Sequence, residues 1–503
     1  MSPEDSEEHH RHRTNDACIL QDRNSEILPI HAALLHTGKL LYFSGSGNDP
    51  EKFPYQKMET RLWDPADGSI APVPVHRKQR DLFCAGHCFL PDGRLLVAGG
   101  NSGYPWSQAL PVFTGIKDTF VFEPEPEPGR WLWAAPMAAG RWYPTVVSLP
   151  DGGALAFSGV WDALWKILLW PFSLYNCKVE RWGVDGGSPE TADTTPGSWT
   201  DLHAKRPMYY YPRVHVVPSG EILFVGQTRD ILEFNPKTAS WRTVTRVRRN
   251  RYEGTSVLLP LRPDEGYRAR ILAVGGAWGQ RWAVDAHNDA AILDRRGGDW
   301  AWRWIPPMAF RRMHANATLL LDGRVLVTAG GMRGREQPIL ETELFDPRTE
   351  TWRLGATCSV GRTYHSVAVL LPDGRVWTGG GNLAWGLDEL RIELYTPGYC
   401  LEEDRPAITA SPPSVAYDSP FEVRVASPTP LLEASLVRPG SVTHSFNVDQ
   451  RWVGLQVASA TKTKLELRSP PNAELAPPGW YLLTVLDEHR CPAEARWIRL
   501  SAL

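Results

Sequence analysis

Apolar residues along this chain come in short paired runs, and the same phrase recurs seven times between residues 27 and 400. An apolar run meets a turn of the Pro-Asp-Gly or Ser-Gly kind, a second apolar run follows, and the phrase closes on Gly, often Gly-Gly. Four copies are Ala32–Gly45 around Thr37-Gly38, Cys88–Gly100 around Asp92-Gly93, Thr145–Gly159 around Asp151-Gly152 and Val214–Gly226 around Ser219-Gly220. A looser copy, Thr255–Gly276, has its turn expanded through Pro260–Arg270; Ala317–Gly331 around Asp322-Gly323 and Val367–Gly381 around Asp373-Gly374 complete the set. Each reads as a β-hairpin, because Asp-Gly supplies the positive φ angles that a tight turn between right-twisted strands demands. Outer-strand phrases such as Glu343-Leu-Phe-Asp-Pro-Arg-Thr-Glu-Thr-Trp352 lie between copies. A repeated unit of this size buries its apolar faces against its neighbours. Seven of them predict an all-β fold, a seven-bladed β-propeller over residues 27–400 that closes around a channel and leaves only short edges. A pair of β-sandwiches would not need the same glycine exit seven times.

After Pro397-Gly-Tyr-Cys400 the phrase stops. Residues 401–503 hold short strands such as Phe421–Val425, Trp452–Val457, Lys464–Arg468 and Trp480–Val485 between Pro-rich turns, which predicts a separate, immunoglobulin-like β-sandwich. Residues 1–26 open on polar, charged residues and read as a disordered tail. They hold no apolar core of a secretion signal, so the chain by itself reads as cytoplasmic. The most apolar stretch, Trp161–Tyr175, is broken by Asp162, Lys166 and Pro171 and is too short to span a bilayer. It is either a loop or short helix wedged near a pocket, or an exposed contact patch.

Composition sharpens this picture. Gly 43, Pro 43 and Trp 22 suit an all-β chain rich in turns. A net charge of -3 gives no footprint for nucleic acid or an anionic membrane. The seven cysteines are few, odd in number and without CxxC pairs, so neither a disulfide framework nor a zinc site is indicated.

Rotational symmetry places residues at equal offsets from the hairpin turns on one ring around the channel. The eighth residue before the turn is Cys84, Tyr143, Tyr211, His314 and His365 in the ordered copies, with Tyr364 beside the last. Sulfur, nitrogen and phenolate donors converging there suit copper better than magnesium or calcium, which take oxygen ligands. Propeller blades also carry aromatic and His side chains there for packing, and Tyr211 and His314 are open to that structural reading or to one behind the ligands.

Phe83-Cys84-Ala-Gly, Arg141-Trp-Tyr143-Pro-Thr, Gly361-Arg-Thr-Tyr364-His365-Ser and Thr443-His444-Ser-Phe-Asn-Val-Asp-Gln-Arg451 resemble the four signature segments of the galactose oxidase/glyoxal oxidase family of copper radical oxidases, with kelch-type blades and an early-set sandwich. The resemblance covers nearly the whole chain. It implies one copper ion held by Tyr143, Tyr364, His365 and His444, the last delivered up the channel by a hairpin of the C-terminal sandwich. It implies too that a Cys84–Tyr143 thioether forms the radical cofactor, which accounts for one odd cysteine. Trp161, 18 residues after Tyr143, resembles the tryptophan that stacks over the linked tyrosine, with simple packing as the alternative.

The reaction implied is oxidation of small aldehydes of the glyoxal or methylglyoxal type, or of primary alcohols, with O2 to give H2O2. Copper exchanges one electron and the reaction removes two, so a second store is needed, and a tyrosyl radical supplies it. In this scheme Tyr364 takes the substrate proton and the Tyr143 radical takes hydrogen from carbon. The chain begins almost at the first blade, without the carbohydrate-binding domain of galactose-oxidising members, which favours small aldehydes over sugars; a monomer is expected. It also departs from a family that is usually secreted. Two other readings stand beside this one: a primary-alcohol or glycan oxidase, and a non-catalytic kelch scaffold, which would need none of Cys84, Tyr143, Tyr364, His365 and His444.

Overall fold

The computed structural model describes residues 15–47, 49–55, 57–105, 113–162, 174–183, 194–279, 284–383 and 387–501. The heart of the apolar segment expected at 161–175 lies outside them, as do the first 14 residues of the expected tail. Seven antiparallel sheets follow one another along the chain, each with a four-stranded core. Their innermost strands are His31–Leu34, Gly86–Phe89, Thr145–Ser148, Val214–Val216, Thr255–Leu258, Asn316–Leu319 and Ser366–Leu370. We number the blades 1 to 7 in that order. Almost every residue of these strands is buried, because each is packed between its own sheet and the next.

The hairpins form as expected, with one refinement. In blade 2 the Leu90 amide donates to the Arg94 carbonyl and the Gly93 amide to the Leu90 carbonyl, so the loop is a type I turn closed by a glycine. Only Gly93 takes a positive φ, at 91°; Asp92 instead accepts from the Arg94 amide and pairs with the Arg94 guanidinium at 2.6 Å. Blades 6 and 7 repeat the device with Asp322–Arg324 and Asp373–Arg375. The glycine exits have another cause. A Cβ at Gly99 would meet the Arg141 carbonyl of the next blade at 2.4 Å, and one at Gly275 the Arg312 carbonyl at 2.3 Å.

Ring closure corrects the expected tail. Ala17–Asn24 is not part of a loose arm but the outermost strand of blade 7, antiparallel to Arg391–Thr396 with Ala17 opposite Thr396. The four strands of that blade come from both ends of the propeller sequence, so no hairpin phrase advertises the fourth. A disulfide between Cys18 and Cys358, which the cysteine spacing did not indicate, ties this strand to the end of blade 6's outer strand Thr351–Thr357.

Beyond Thr396 the chain builds a four-stranded and a five-stranded sheet. Their facing side chains, including Val423, Leu436, Leu465, Tyr481, Val485 and Ile498, share one buried cluster with Leu258, Leu261 and Ile271 of blade 5. The sandwich is therefore fused to the propeller wall by a common core. Between its strands Leu431–Arg438 and Arg451–Gly454 it sends out a hairpin, Ser441–Thr443 and Phe446–Asn447. That hairpin pairs antiparallel with the innermost strand of blade 1, Thr443 opposite His31 and Ser441 opposite Ala33.

Candidate active site

Just before the innermost strand, the chain of each of six blades adopts a left-handed backbone at a residue that is not glycine. These are Cys84 (φ 60°), Tyr143 (68°), Tyr211 (41°), Glu253 (58°), His314 (60°) and His365 (66°). Such a conformation costs about 1–3 kcal/mol per residue and persists only where the surroundings enforce it. The ring enforces it: the Tyr143 amide donates to the Cys84 carbonyl at 2.9 Å, Tyr211 to Tyr143 at 3.0 Å, and His314 to Glu253 at 2.8 Å. Buried arginines two or three residues upstream hold the same turns from outside. Arg141 donates to the Ser158 carbonyl at 2.6 Å and pairs with Glu180 at 2.7 Å; Arg312 donates to the Ala329 carbonyl at 2.9 Å and pairs with Glu343 at 2.9 Å. Arg251 and Arg362 donate to the carbonyls of Gly275 and Gly380.

Five ring members were read from the sequence; Glu253 was not. Pro260–Arg270, with its short 3-10 turn Pro263–Glu265, lengthens the hairpin of blade 5 and defeats an offset counted from the turn. Counting from the arginine would have found it, since Arg251-Tyr-Glu253 parallels Arg141-Trp-Tyr143 and Arg312-Met-His314.

His444 occupies the tip of the channel hairpin, where it and Ser445 take φ of 46° and 64°. Its carbonyl accepts from Arg213 at 2.9 Å, and its Nδ1 lies 2.7 Å from the Thr443 hydroxyl. The Thr443 hydroxyl also donates to the Ile30 carbonyl at 3.2 Å. A hydroxyl has one proton, so Thr443 accepts from Nδ1–H and leaves the lone pair on Nε2. That Nε2 lies 3.6 Å from Cys84 Sγ.

Around it the rings of Tyr143, Tyr211, Tyr364 and His365 have centroids 4.7, 4.5, 5.4 and 4.7 Å from that of His444. Ligand atoms of Cys84, His365 and His444 all fall within 4.8 Å of one another, close enough to share one ion. Neither ring nitrogen of His365 has a hydrogen-bond partner, although the residue is fully buried. A buried imidazole left unbonded on both sides calls for a ligand at that spot. Burial pushes the Cys84 thiol and the Tyr364 phenol well above their ordinary values and holds His365 and His444 well below theirs. Without a metal ion among them, all four stay neutral at pH 7.

Trp161 does not stack over Tyr143. It packs with Ala139 and Cys177, while the rings against Tyr143 besides His444 are Trp142 at 4.1 Å, Tyr210 at 5.1 Å and Tyr211 at 4.7 Å. The reason is strand alternation: Val160 is bridged to Trp142 and faces the Tyr143 cluster, so its neighbour Trp161 faces the other way. Tyr211 donates its hydroxyl to the Ala85 carbonyl at 2.9 Å, and His314 lies with its Nδ1 3.7 Å from Glu253.

With this geometry in hand, residues 200–399 match the family model Glyoxal oxidase N-terminus, and residues 405–500 match the Galactose oxidase-like, Early set domain. The chain belongs to the galactose oxidase/glyoxal oxidase family. The matched stretches of the family models include Tyr364, His365 and His444, while Cys84 and Tyr143 precede them. Members of this family align along almost the whole chain. Aldehyde oxidase GLOX of Vitis pseudoreticulata is 25% identical over 95% of this chain and 95% of its own. A galactose oxidase of Gibberella zeae is 25% identical over 94% of this chain and 69% of its own. In fold, a fungal alcohol oxidase of the AA5 family, solved in complex with copper, superposes with a TM-score of 0.78 at 23% identity, covering 96% of this chain and 99% of that one.

A cavity of about 620 Å³, lined by Asp322, Arg324, Tyr399, Asp487 and Arg490, lies at the turn end of the blades, away from the ring. None of the ring residues lines it.

Proposed function

We propose that this protein is a copper radical oxidase that converts small aldehydes or primary alcohols, with O2, to the acid or aldehyde and H2O2. The observation that carries the reading is the convergence on His444 of Cys84, Tyr143, Tyr364 and His365, four residues from three blades, with both nitrogens of His365 buried and unbonded. Two imidazoles, two phenols and a thiol form a donor set that fits copper and not a hard oxygen-seeking cation. Tyr143, Tyr364, His365 and His444 would hold the ion, and Cys84 would be joined to the Tyr143 ring through sulfur. Copper so bound would supply a one-electron store and an open position for a substrate oxygen.

The remaining work falls to the chain. Thr443 fixes the tautomer of His444 that presents Nε2. Tyr364 keeps its proton in this buried setting unless a metal ion takes up its oxygen; as a phenolate it would accept the hydroxyl proton of an alcohol or hydrated aldehyde. Tyr143, made easier to oxidise by a sulfur on its ring, would accept the hydrogen from the substrate carbon. Trp142 and Tyr210 cover it and exclude water. The balance closes as RCH2OH + O2 to RCHO + H2O2, or RCH(OH)2 + O2 to RCOOH + H2O2. The relatives named aldehyde oxidase and galactose oxidase support both substrate classes.

The test is peptide mass after copper loading, combined with peroxide release across glyoxal, methylglyoxal, glycerol, benzyl alcohol and galactose. The Cys84 and Tyr143 peptides should travel as one species lighter by two hydrogens, and at least one substrate should yield peroxide. Two separate peptides and no peroxide on any substrate would leave a kelch scaffold as the better reading.

A further inference from the structure

Two thiols far from the donor set have no part in the chemistry above. Of the five cysteines outside the Cys18–Cys358 bond, Cys84, Cys88 and Cys177 are buried, and Cys400 and Cys491 alone are partly exposed. Cys400 lies on the 3-10 turn Gly398–Leu401 that follows blade 7, its sulfur 3.6 Å from the Asp373 carbonyl oxygen. Cys491 belongs to the sandwich, in the turn after strand Gly479–Asp487, where its amide donates to the Asp487 carboxylate at 2.8 Å. Its sulfur is 4.0 Å from the Tyr399 carbonyl oxygen, part of the peptide group that enters Cys400. Arg405 ties the two segments together: its Nη1 donates to the Asp373 carbonyl at 3.1 Å and its Nε to the Pro492 carbonyl at 3.0 Å. The charge of Arg405 reaches both thiols, and Cys491 acts electrostatically on Cys400.

We propose that Cys400 and Cys491 are a site of oxidative modification, closing to a second long-range disulfide that clamps the C-terminal sandwich to the blade that completes the propeller. The Cys491 thiol is aimed at the backbone of Cys400 itself, so what parts the two sulfurs is side-chain rotamer more than backbone distance. The clamp sits where the junction is weakest. On the blade 5 side the sandwich and the propeller share an apolar core. On the other side they are separated by the cavity of about 620 Å³, with Asp322 and Arg324 of blade 6 on one wall and Thr429, Asp487 and Cys491 of the sandwich on the other. Charged groups facing water across a gap hold little, whereas a covalent bond removes freedom from the unfolded chain. Blade 7 is already tied once: Cys18 lies opposite Tyr395, a few residues before Cys400, and its bond to Cys358 reaches blade 6. The conditions that keep that pair joined oxidise a second accessible pair as well. With peroxide as oxidant, one thiol takes an oxygen atom to give a sulfenic acid and water, and the second sulfur displaces the hydroxyl as water. Two thiols and one H2O2 thus become one disulfide and two waters. Burial pushes the Cys400 thiol up to about 12, and burial with the Asp487 charge pushes that of Cys491 up to about 11. Both are protonated at pH 7, so the folded pair closes slowly, and once closed its poor thiolate leaving groups resist exchange. These are the properties of a staple rather than of a switch.

The experiment maps peptides of the full chain, alkylated in denaturant without reductant, before and after treatment with H2O2. Added peroxide makes the outcome independent of the oxidase reading. After treatment the Cys400 and Cys491 peptides should travel as one species that separates on reduction, and closure should be faster at pH 9 than at pH 7. Cys400→Ser, Cys491→Ser and the double variant should each melt about 3 °C or more below the oxidised wild type, and all by the same amount, because either change removes the whole bond. Losses that add up in the double variant would mark two independent packing contacts and overturn the bond. Two separate peptides after peroxide, whether alkylated or overoxidised, would overturn it as well. So would a pair that resists alkylation until a chelator removes a soft cation such as Cu(I). Linked peptides whose loss leaves the melting temperature unchanged would overturn the clamp.

Discussion

Two halves of one ring share a backbone and differ in what their side chains lack. On one side Cys84, Tyr143 and His365, with Tyr364, press against His444 in nearly complete burial, and His365 finds no hydrogen bond at either nitrogen. On the other side, Tyr211 is tied to Ala85 and Glu253 to Tyr209 at equivalent left-handed positions. Backbone geometry alone therefore does not mark the reactive side. The mark is unfinished bonding together with convergence: His314 also keeps a buried Nε2 without a hydrogen bond, but among the ring residues it is His365 that is unbonded at both nitrogens and lies with Cys84 and His444 within reach of one ion.

The largest expected effect breaks the comparison on its reactive side. Cys84→Ser should cut peroxide production by at least about 10³-fold, as removing one member of a unit that acts together does, while copper measured by elemental analysis stays bound. Turnover at the wild-type rate would remove the sulfur from the chemistry. Next come the arginines that hold the ring from outside. Arg141→Met and Arg312→Met should each cost about 3–5 kcal/mol in denaturant unfolding, since each leaves a buried carboxylate unpaired. A large difference between them would show that the halves are not built alike. Thr443→Val should weaken copper binding about 10–100-fold in competition with a chelator, with Thr443→Ser close to wild type. Smallest is Tyr211→Phe, which should lose about 1 kcal/mol of stability with copper content and the Cys84–Tyr143 linkage intact.

Much of this ring was legible because a propeller repeats its punctuation. Asp92-Gly93 and Asp373-Gly374 mark the same turn, so a fixed count back from each lands on Cys84 and His365. Legibility failed wherever a contact was not periodic. Blade 5 lost its register to an expanded hairpin and hid Glu253. The outer strand Ala17–Asn24 is paired with Arg391–Thr396 at the far end of the propeller sequence, and Cys18 meets Cys358 across 340 residues, a closeness that no local pattern encodes. Trp161 failed for a simpler reason: one residue along a strand exchanges faces, and spacing from Tyr143 does not say on which face the count ends. Arg335 carries no pattern of its own, since its place over Tyr364 depends on a hairpin that only blade 6 possesses among the described residues.

The hairpin that carries His444 bears on how the protein is born. A ribosome working from the first residue finishes all seven blades before it reaches residue 444, and tens of residues more must emerge before Gly479–Asp487 and Arg496–Ser501 complete the sheet that anchors the hairpin. Until then the nascent propeller has a gap where its inner wall is unpaired at His31–Ala33. Assembly of the donor set thus waits until the strands of the C-terminal sandwich have been made. A chain cut short during translation would be left with an incomplete centre and no means of generating an oxidant.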